Sequence, residues 1–361
     1  MEAGAAAVMI TGSHIPADRN GLKFYTPAGE ISKAQEAAIL AALDTKTDPV
    51  AGPAIVQNTH AGPAYVARFT SAYGRALTGM KIGVYSHSAV GRDLLLDVFT
   101  KLGADVVELG RSPDFIPVDT EAVDPAIRAQ LKLWAQDHGL DAIISTDGDG
   151  DRPLMTDASG TVVVGDILGQ ITGAEDKFVT VIRTRIGSPY VIASMEKAGG
   201  NVVGYEANGG FLLGYGARGP QGALPPLMTR DAVLLLVAPL ALARTAGGLT
   251  ALVAAQPARF TAADRLQEVP TETPQALVAG FDADPAKRAA FLAQMDGIEA
   301  AVDRTDGLRI TRDDGRIVHL RPSGNAPELR LYVEAQSTTL AAQTLTLGLS
   351  MLKTAIAERS Q

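Results

Sequence analysis

Between Met80 and Ser145 the chain alternates strand-like and helix-like stretches, and this alternation constrains the fold more than any other feature of the sequence. Met80-Lys-Ile-Gly-Val-Tyr-Ser reads as a strand ending in small residues, Val90 to Leu102 as a helix, and Gly103-Ala-Asp-Val-Val-Glu-Leu as a second strand. Asp124 to His138 is a further helix, and Asp141-Ala-Ile-Ile-Ser a third strand. A strand–helix–strand–helix–strand order predicts a mainly parallel sheet covered by helices. Ligands in such folds bind beyond the carboxyl ends of the strands.

The flanking regions repeat the theme less regularly. Val8-Met9-Ile10 is expected as a short buried strand, followed by Thr11-Gly12-Ser13-His14-Ile15-Pro16 and turn-forming residues to Gly21. Glu30 to Leu43 has helical spacing, with Ser32 a candidate cap, and the composition from Asp44 to Pro63 marks a linker or domain edge. Arg68 to Leu77 reads as a helix. Gly160-Thr-Val-Val-Val-Gly165 is expected to open another α/β unit, with Asp166 capping a helix to about Ala174. Phe178 to Arg183 (a strand), Ser188 to Ala198 (a helix) and Asn201 to Glu206 (a strand) continue it, and Asp231 to Ala243 is a buried helix. Beyond Pro257 the texture changes: a linker at Val269 to Pro274, a helix, then the segments Gly307 to Thr311 and Arg316 to Leu320 around Asp313-Asp314-Gly315, a hairpin signal. A strand over Leu329 to Ala335 and a helix over Leu340 to Glu358 complete a C-terminal α+β domain. The expected class is α/β: several α/β domains with mixed sheets plus this C-terminal α+β domain. The divisions fall at residues 1–47, 48–156, 157–255 and 256–361.

Composition narrows the function. The 361 residues are 46% hydrophobic and 20% charged, as in a globular protein, with a net charge of −8 that speaks against nucleic-acid or acidic-membrane partners. The absence of cysteine excludes a disulfide framework, a thiolate nucleophile and cysteine ligation of zinc. The five histidines show no metal-ligand spacing. The longest apolar run, around Leu234 to Leu242, is too short for a bilayer, and residues 1–10 lack a basic signal region. The expected location is cytoplasmic.

Four loops carry chemistry, although each alone also fits an ordinary turn. Asp147-Gly148-Asp149-Gly150-Asp151-Arg152 follows a strand, and aspartates at alternate positions can fold around one hard cation. Magnesium suits few carboxylates plus a phosphate oxygen. A calcium EF-hand would need glutamate where Ala158 stands, and a helix where this loop is entered from a strand. Arg152 is a natural phosphate clamp. Thr11 to Pro16 puts Ser13 beside a glycine at a strand end, where backbone can approach a phosphate. Arg321-Pro322-Ser323-Gly324-Asn325-Ala326-Pro327-Glu328-Leu329-Arg330 offers small residues, two side-chain donors and an arginine fork, an anion nest. Glu206-Ala207-Asn208-Gly209-Gly210 pairs a carboxylate with an amide, suited to vicinal sugar hydroxyls. Ser86-His87-Ser88 is not read as a nucleophile and base, since adjacent residues at a strand end point opposite ways; Ser88 is expected as a helix cap. No P-loop sequence is present.

Taken together and in order, these loops resemble the α-D-phosphohexomutase superfamily, the phosphomannomutase/phosphoglucomutase group. Its members carry a Thr-x-Ser-His-Asn-Pro serine loop, then Asn-Gly-x-Lys (here Asn20 to Lys23), Asp-x-Asp-x-Asp-Arg, Gly-Glu-x-Ser-Gly-His and Arg-Pro-Ser-Gly-Thr-x-Pro. The resemblance implies four domains around a central cleft and a magnesium-dependent transfer of a phosphoryl group between the 1- and 6-positions of a hexose. The carrier would be a phosphoserine at Ser13, and a hexose 1,6-bisphosphate would be intermediate and activator. By the same resemblance Ser13, His14, Lys23 and Arg152 are the catalytic groups, with Lys23 exchanging the proton of the sugar hydroxyl. Asp147, Asp149 and Asp151 hold Mg2+ with Ser13. Glu206 and Asn208 read sugar hydroxyls, Arg321, Ser323, Gly324 and Asn325 bind the phosphate that does not react, and Gly209, Arg185 and Arg330 are further substrate-binding residues. Small sugar phosphates are the expected partners, mannose slightly ahead of glucose, and the assembly a monomer or homodimer. A phosphoglucosamine mutase and a catalytically inactive sugar-phosphate binder are the alternatives.

The sequence also departs from the family pattern. Ile15 stands for asparagine, Asn208 for serine, Gly210 for the sugar-loop histidine, and Asn325, Ala326 and Glu328 for Thr, Glu and Lys. Without that histidine, more of the acid/base burden falls on Lys23 or His14. The family has a segment bearing an arginine ahead of the serine loop, and an additional strand and helix between the positions of Asp166 and Arg185. The expectation is that this sequence is part of a longer natural chain.

Overall fold

The computed structural model describes residues 4–13, 18–46, 52, 54, 56–173, 180–323 and 327–359. They divide into an N-terminal unit, residues 1–182 and 186–256, and a C-terminal unit, residues 183–185 and 257–361.

The N-terminal unit begins with β1 (Ala7–Thr11), β2 (Gly21–Thr26) and β3 (Gly29–Glu30), an antiparallel sheet in that order, followed by α1 (Lys33–Ala41). Ser32 caps α1 in a reciprocal capping box with Gln35. The expected burial of Val8, Met9 and Ile10 is not found: they are 55%, 37% and 73% exposed. Apolar β-formers were enough to make the strand, but burial needs a second layer, and α1 contributes no buried residue to one.

The central sheet follows. α2 (Ala61–Tyr73) starts inside the stretch expected as linker, and then come β4 (Lys81–Tyr85), α3 (Arg92–Lys101), β5 (Asp105–Leu109), α4 (Pro125–His138), β6 (Ala142–Thr146), β7 (Pro153–Thr156) and β8 (Val162–Val163). The strand order is β5-β4-β6-β7-β8, with β5, β4 and β6 parallel to one another and the β6–β7 and β7–β8 pairings antiparallel. Alternate residues face opposite layers. Ile82, Val84, Ala142 and Ile144 meet Phe69, Leu95 and Phe99, while Tyr85, Ile143 and Leu154 meet Leu131 and Ala135 on the other face. Each large side chain so buried contributes roughly 1.5–3 kcal/mol.

Two local expectations change here. Val162–Val163 does not open the next unit but returns onto β7, because Asp157 accepts the N–H groups of Ser159 and Thr161 and closes a hairpin. Ser88 caps no helix. Gly91 occupies the N-cap of α3, and the Ser88 hydroxyl instead accepts the N–H of Ile116 at 2.8 Å.

The remainder of the unit holds α5 (Gly165–Gly173), α6 (Ser188–Ala198), β9 (Val203–Tyr205), β10 (Phe211–Leu213), β11 (Ala217–Arg218), β12 (Ala223–Leu224), α7 (Ala232–Ala246) and α8 (Leu249–Ala254). Of the strand expected at 178–183, Phe178 and Val179 lie outside the described residues, and Thr180 to Arg183 form no strand. β-propensity without a pairing partner does not make one. α7 is apolar all round and buried from Ala232 to Leu240, joining the core below β4 and β6.

In the C-terminal unit, β13 (Phe260–Leu266), α9 (Glu272–Ala283), α10 (Pro285–Ala293), β14 (Glu299–Asp303), β15 (Leu308–Arg312), β16 (Ile317–Pro322), β17 (Leu329–Ala335) and α11 (Thr338–Arg359) form an α+β layer pair. The antiparallel order is β13-β17-β16-β15-β14. β13 was not anticipated from sequence. α11 is long and apolar enough to cross a membrane by length and composition, yet it sends Ala341 and Leu352 into the core of this sheet.

Asp231 secures α7. Its Oδ1 accepts the N–H of Leu234 at 3.3 Å and the Tyr65 hydroxyl at 2.7 Å, and Arg68 Nε lies 3.7 Å from Oδ2. Burial pushes its carboxyl above the usual range, against the pull of Tyr65 and Arg68. Asp231→Ala removes the cap and strands two partly buried partners, so urea unfolding is expected to show a loss of about 3 kcal/mol. Asp231→Asn, which keeps an acceptor, is expected to lose less than half as much. Equal losses would contradict the capping account.

Candidate active site

The acidic loop begins where β6 ends, at the carboxyl edge of the parallel strands. Asp147 is fully buried and closes its own loop: its Oδ1 accepts the N–H groups of Gly150 at 3.1 Å and Arg152 at 3.2 Å. Its Oδ2 accepts the Ser13 hydroxyl at 2.7 Å, bringing the loop after β1 against the loop after β6. Gly148 permits that approach, since a Cβ there would stand 2.4 Å from the Ser13 carbonyl oxygen. Ser13 itself has φ +52°, a left-handed conformation uncommon outside glycine, held by its N–H donating to Thr11 Oγ1 at 2.8 Å. Thr11 Oγ1 donates in turn to Asp149 Oδ2 at 3.0 Å.

Carboxylate oxygens of Asp147, Asp149 and Asp151 lie within 4.8 Å of one another. Such crowding must be compensated. Lys23, projecting from β2, donates to Asp149 Oδ2 at 2.5 Å and to Asp151 Oδ2 at 2.7 Å. Arg230 Nη2 lies 2.9 Å from Asp151 Oδ2, and Arg152 Nε lies 3.9 Å from both Asp147 and Asp151. Burial, then the Asp151 and Asp149 charges, pushes the Asp147 carboxyl up to about 7. Asp149 is also pushed up by burial, but the Lys23 hydrogen bond and charge outweigh this and hold it below the usual range. Asp149 Oδ1 and Asp151 Oδ1 are buried and accept no hydrogen bond among the described residues. Three converging hard oxygen donors, two with an orphaned oxygen, fit a divalent cation of the magnesium type.

The sugar loop between β9 and β10 is part of the same unit. Glu206 Oε1 accepts the N–H of Gly187 at 2.9 Å, and Asn208 Oδ1 accepts that of Gly210 at 2.9 Å. Burial raises the Glu206 carboxyl despite the opposing charge of Arg230. Gly209 donates its N–H to the Glu206 carbonyl at 2.9 Å, which sets the turn.

The remaining sequence candidates belong to the C-terminal unit. Arg321, at the end of β16, pairs through Nε with Asp306 at 2.8 Å. It stands in register with Arg330 on β17, which stands in register with Arg265 on β13. The Glu328 carboxylate lies 3.5 Å from Arg330 and 3.4 Å from Arg265. Ser323 is buried and donates its N–H to the Glu328 carbonyl at 3.0 Å. Arg185 donates to the Thr305 carbonyl at 3.3 Å. His14, Gly324 and Asn325 lie outside the described residues.

The structure thus joins Ser13, Lys23, Asp147, Asp149, Asp151 and Arg152 in one cluster. Thr11, Glu30, Arg230 and Arg265 were not anticipated as site residues. The only signal for Arg230 was its place just before the aspartate that opens the apolar run.

Fold and site define a multidomain α/β enzyme with a serine set against an acidic loop. The sequence matches four descriptions of phosphoglucomutase/phosphomannomutase domains: domain I over residues 2–49, domain II over 63–160, domain III over 157–260 and the C-terminal domain over 282–346. The chain belongs to this family, within the α-D-phosphohexomutase superfamily, and is an enzyme of its mutase class. A phosphomannomutase of Sinorhizobium fredii is 42% identical across 98% of this chain and 81% of the relative. One from Salmonella muenchen is 42% identical across 96% and 77%. A phosphoglucosamine mutase of Xylella fastidiosa is 30% identical across 94% and 76%. Among solved structures, a phosphoglucomutase/phosphomannomutase family protein of Burkholderia thailandensis superposes with TM-score 0.74 at 20% identity, covering 97% of this chain and 76% of that one.

Gly148 gives a direct test of the contact between the two loops. Gly148→Ala is expected to push the Ser13 backbone away from Asp147 and to lower mutase turnover about a hundredfold, the effect of a displacement near 1 Å. Turnover within threefold of the unaltered enzyme would contradict this geometry.

Proposed function

We propose that this enzyme interconverts hexose 1-phosphates and hexose 6-phosphates, mannose phosphate first, with Ser13 as the phosphoryl carrier. The observation that carries the reading is the 2.7 Å contact of Ser13 Oγ with Asp147 inside a three-aspartate cluster. A serine so placed has no histidine base among the described residues, and phosphoryl transfer does not require one, because alignment and charge neutralisation supply most of the rate. The 42% relatives support mannose over glucosamine phosphate, whose named mutases are 27–30% identical.

In this reading Ser13, as phosphoserine, gives its phosphoryl group to the hydroxyl at one end of the sugar, forming a hexose 1,6-bisphosphate. The bisphosphate turns round and returns its other phosphate to the Ser13 hydroxyl. Lys23 exchanges the proton of the reacting hydroxyl, and Arg152 steadies the phosphoryl group. Glu206, Asn208 and Gly209 hold sugar hydroxyls. Arg185, Arg321, Ser323, Gly324, Asn325 and Arg330 take the phosphate that does not react, with Arg265 added to that set because it continues the cross-strand arginine row. His14 keeps its proposed place beside Ser13. Asp147, Asp149 and Asp151 would hold Mg2+, which supplies charge neutralisation at the transferring group when bound. The fungal N-acetylphosphoglucosamine mutase solved with GlcNAc-6P and magnesium, TM-score 0.60, shares this fold. We further propose the four-domain division at 1–47, 48–156, 157–255 and 256–361, a monomer or homodimer, and work in the cytoplasm.

Mannose, glucose and glucosamine 1-phosphates, each assayed with magnesium and the matching 1,6-bisphosphate, test this directly. Mannose 1-phosphate is expected to give the highest kcat/KM. Ser13→Ala is expected to lower turnover at least a thousandfold, and EDTA to abolish it reversibly. Preference for glucosamine 1-phosphate would favour a phosphoglucosamine mutase. Full activity of Ser13→Ala would overturn the carrier, and no turnover of any sugar would support a binding protein.

A further inference from the structure

Arg230 immediately precedes Asp231, the N-cap of α7, and is assigned above to neither cation nor sugar. Its guanidinium joins the acidic loop to the end of β3. Nη2 lies 2.9 Å from Asp151 Oδ2, and Nε lies 3.2 Å from Glu30 Oε1, which also accepts the Arg230 backbone N–H at 3.1 Å. Glu30 is itself fixed, accepting the Ser188 hydroxyl at 2.6 Å and the Thr229 hydroxyl at 3.1 Å. The stem of Arg230 runs over Gly210, where a Cβ would stand 2.7 Å from Arg230 Cδ. The side chain is 11% exposed.

Asp151 Oδ2 is therefore held from two sides, by Lys23 and Arg230, while its Oδ1 is buried and accepts no hydrogen bond among the described residues. We propose that Arg230 is a positioning residue for the metal loop: anchored by Glu30, it grips Asp151 Oδ2 and so presents Oδ1 to a divalent cation. The inference rests on the metal site of the proposed function. Lys23 cannot do this alone, since an ammonium is a freely turning point charge and is assigned to the sugar hydroxyl. Arg230 carries a planar fork held at both ends. Gly210 fits the same account, because a residue with a side chain there would collide with the arginine that spans from β3 to the acidic loop.

The proposal makes a prediction opposite in sign to simple electrostatics. A positive charge beside a cation repels it, so removing a bystander arginine would tighten metal binding. Removing a group that orients a ligand weakens binding, commonly by 10–100-fold. Calorimetric titration of the full chain with Mn2+, without sugar phosphate, separates these. Arg230→Met is expected to bind Mn2+ at least tenfold more weakly. Arg230→Lys, which keeps the charge and loses the fork, is expected to bind about threefold more weakly, with an unfolding midpoint near that of the unaltered protein. Equal affinity in the Lys variant, or tighter binding in the Met variant, would overturn the proposal. Should Arg230→Met fail to fold, the Lys variant decides alone. Failure of the unaltered chain to bind Mn2+ would instead overturn the metal site itself, and with it this role for Arg230.

Discussion

The site depends on one electrostatic constraint: three carboxylates within 4.8 Å of one another, beside a serine hydroxyl, in a partly dry environment. Like charges at that spacing repel by several kcal/mol at a protein-like dielectric, so the loop holds only if cations or protons compensate it. Burial first, and then that repulsion from Asp151 and Asp149, pushes the Asp147 carboxyl up to about 7. Lys23, Arg152 and Arg230 supply the rest. The three cations come from β2, from the acidic loop itself and from the segment before α7, so charge balance draws distant parts of the chain together.

The fold explains why that balance falls where it does. Parallel β4, β5 and β6 direct their carboxyl ends to one edge of the sheet, and the acidic loop is the direct continuation of β6. Cores on both faces of the sheet fix the strand, and the strand fixes Asp147. Against this rigid edge stands the lightly buried hairpin of β1 and β2, which carries Ser13 and Lys23. The phosphoryl carrier of the proposed mechanism is thus joined to the acidic loop by polar contacts more than by packing. Glu30, at the end of the same small sheet, adds a second polar tie through Arg230.

Much of this was legible in the sequence, for identifiable reasons. The alternation over residues 80–145 set the central sheet because helices long enough to cross it separate its first three strands. The acidic loop was legible because alternate aspartates with glycines have few other uses. The burial of Val8 to Ile10 was misread, since local apolarity reports the tendency to form a strand and not whether a second layer arrives. Val162–Val163 was assigned forward along the chain because the Asp157 hairpin that folds it back is a matter of hydrogen bonding, not hydropathy. Glu30 and Arg230 were invisible for a different reason. They are 200 positions apart and have meaning only as a pair, and no short motif records a contact of that range.

The most direct test of the central claim follows the phosphoryl group itself. The protein, incubated with a hexose 1,6-bisphosphate labelled at both phosphates and then digested, should carry one label per chain, on the peptide containing Ser13. That label should pass to unlabelled mannose 1-phosphate when it is added. Label on another residue, or label on Ser13 that does not transfer, would contradict a mechanism built on the contact between Ser13 and the acidic loop.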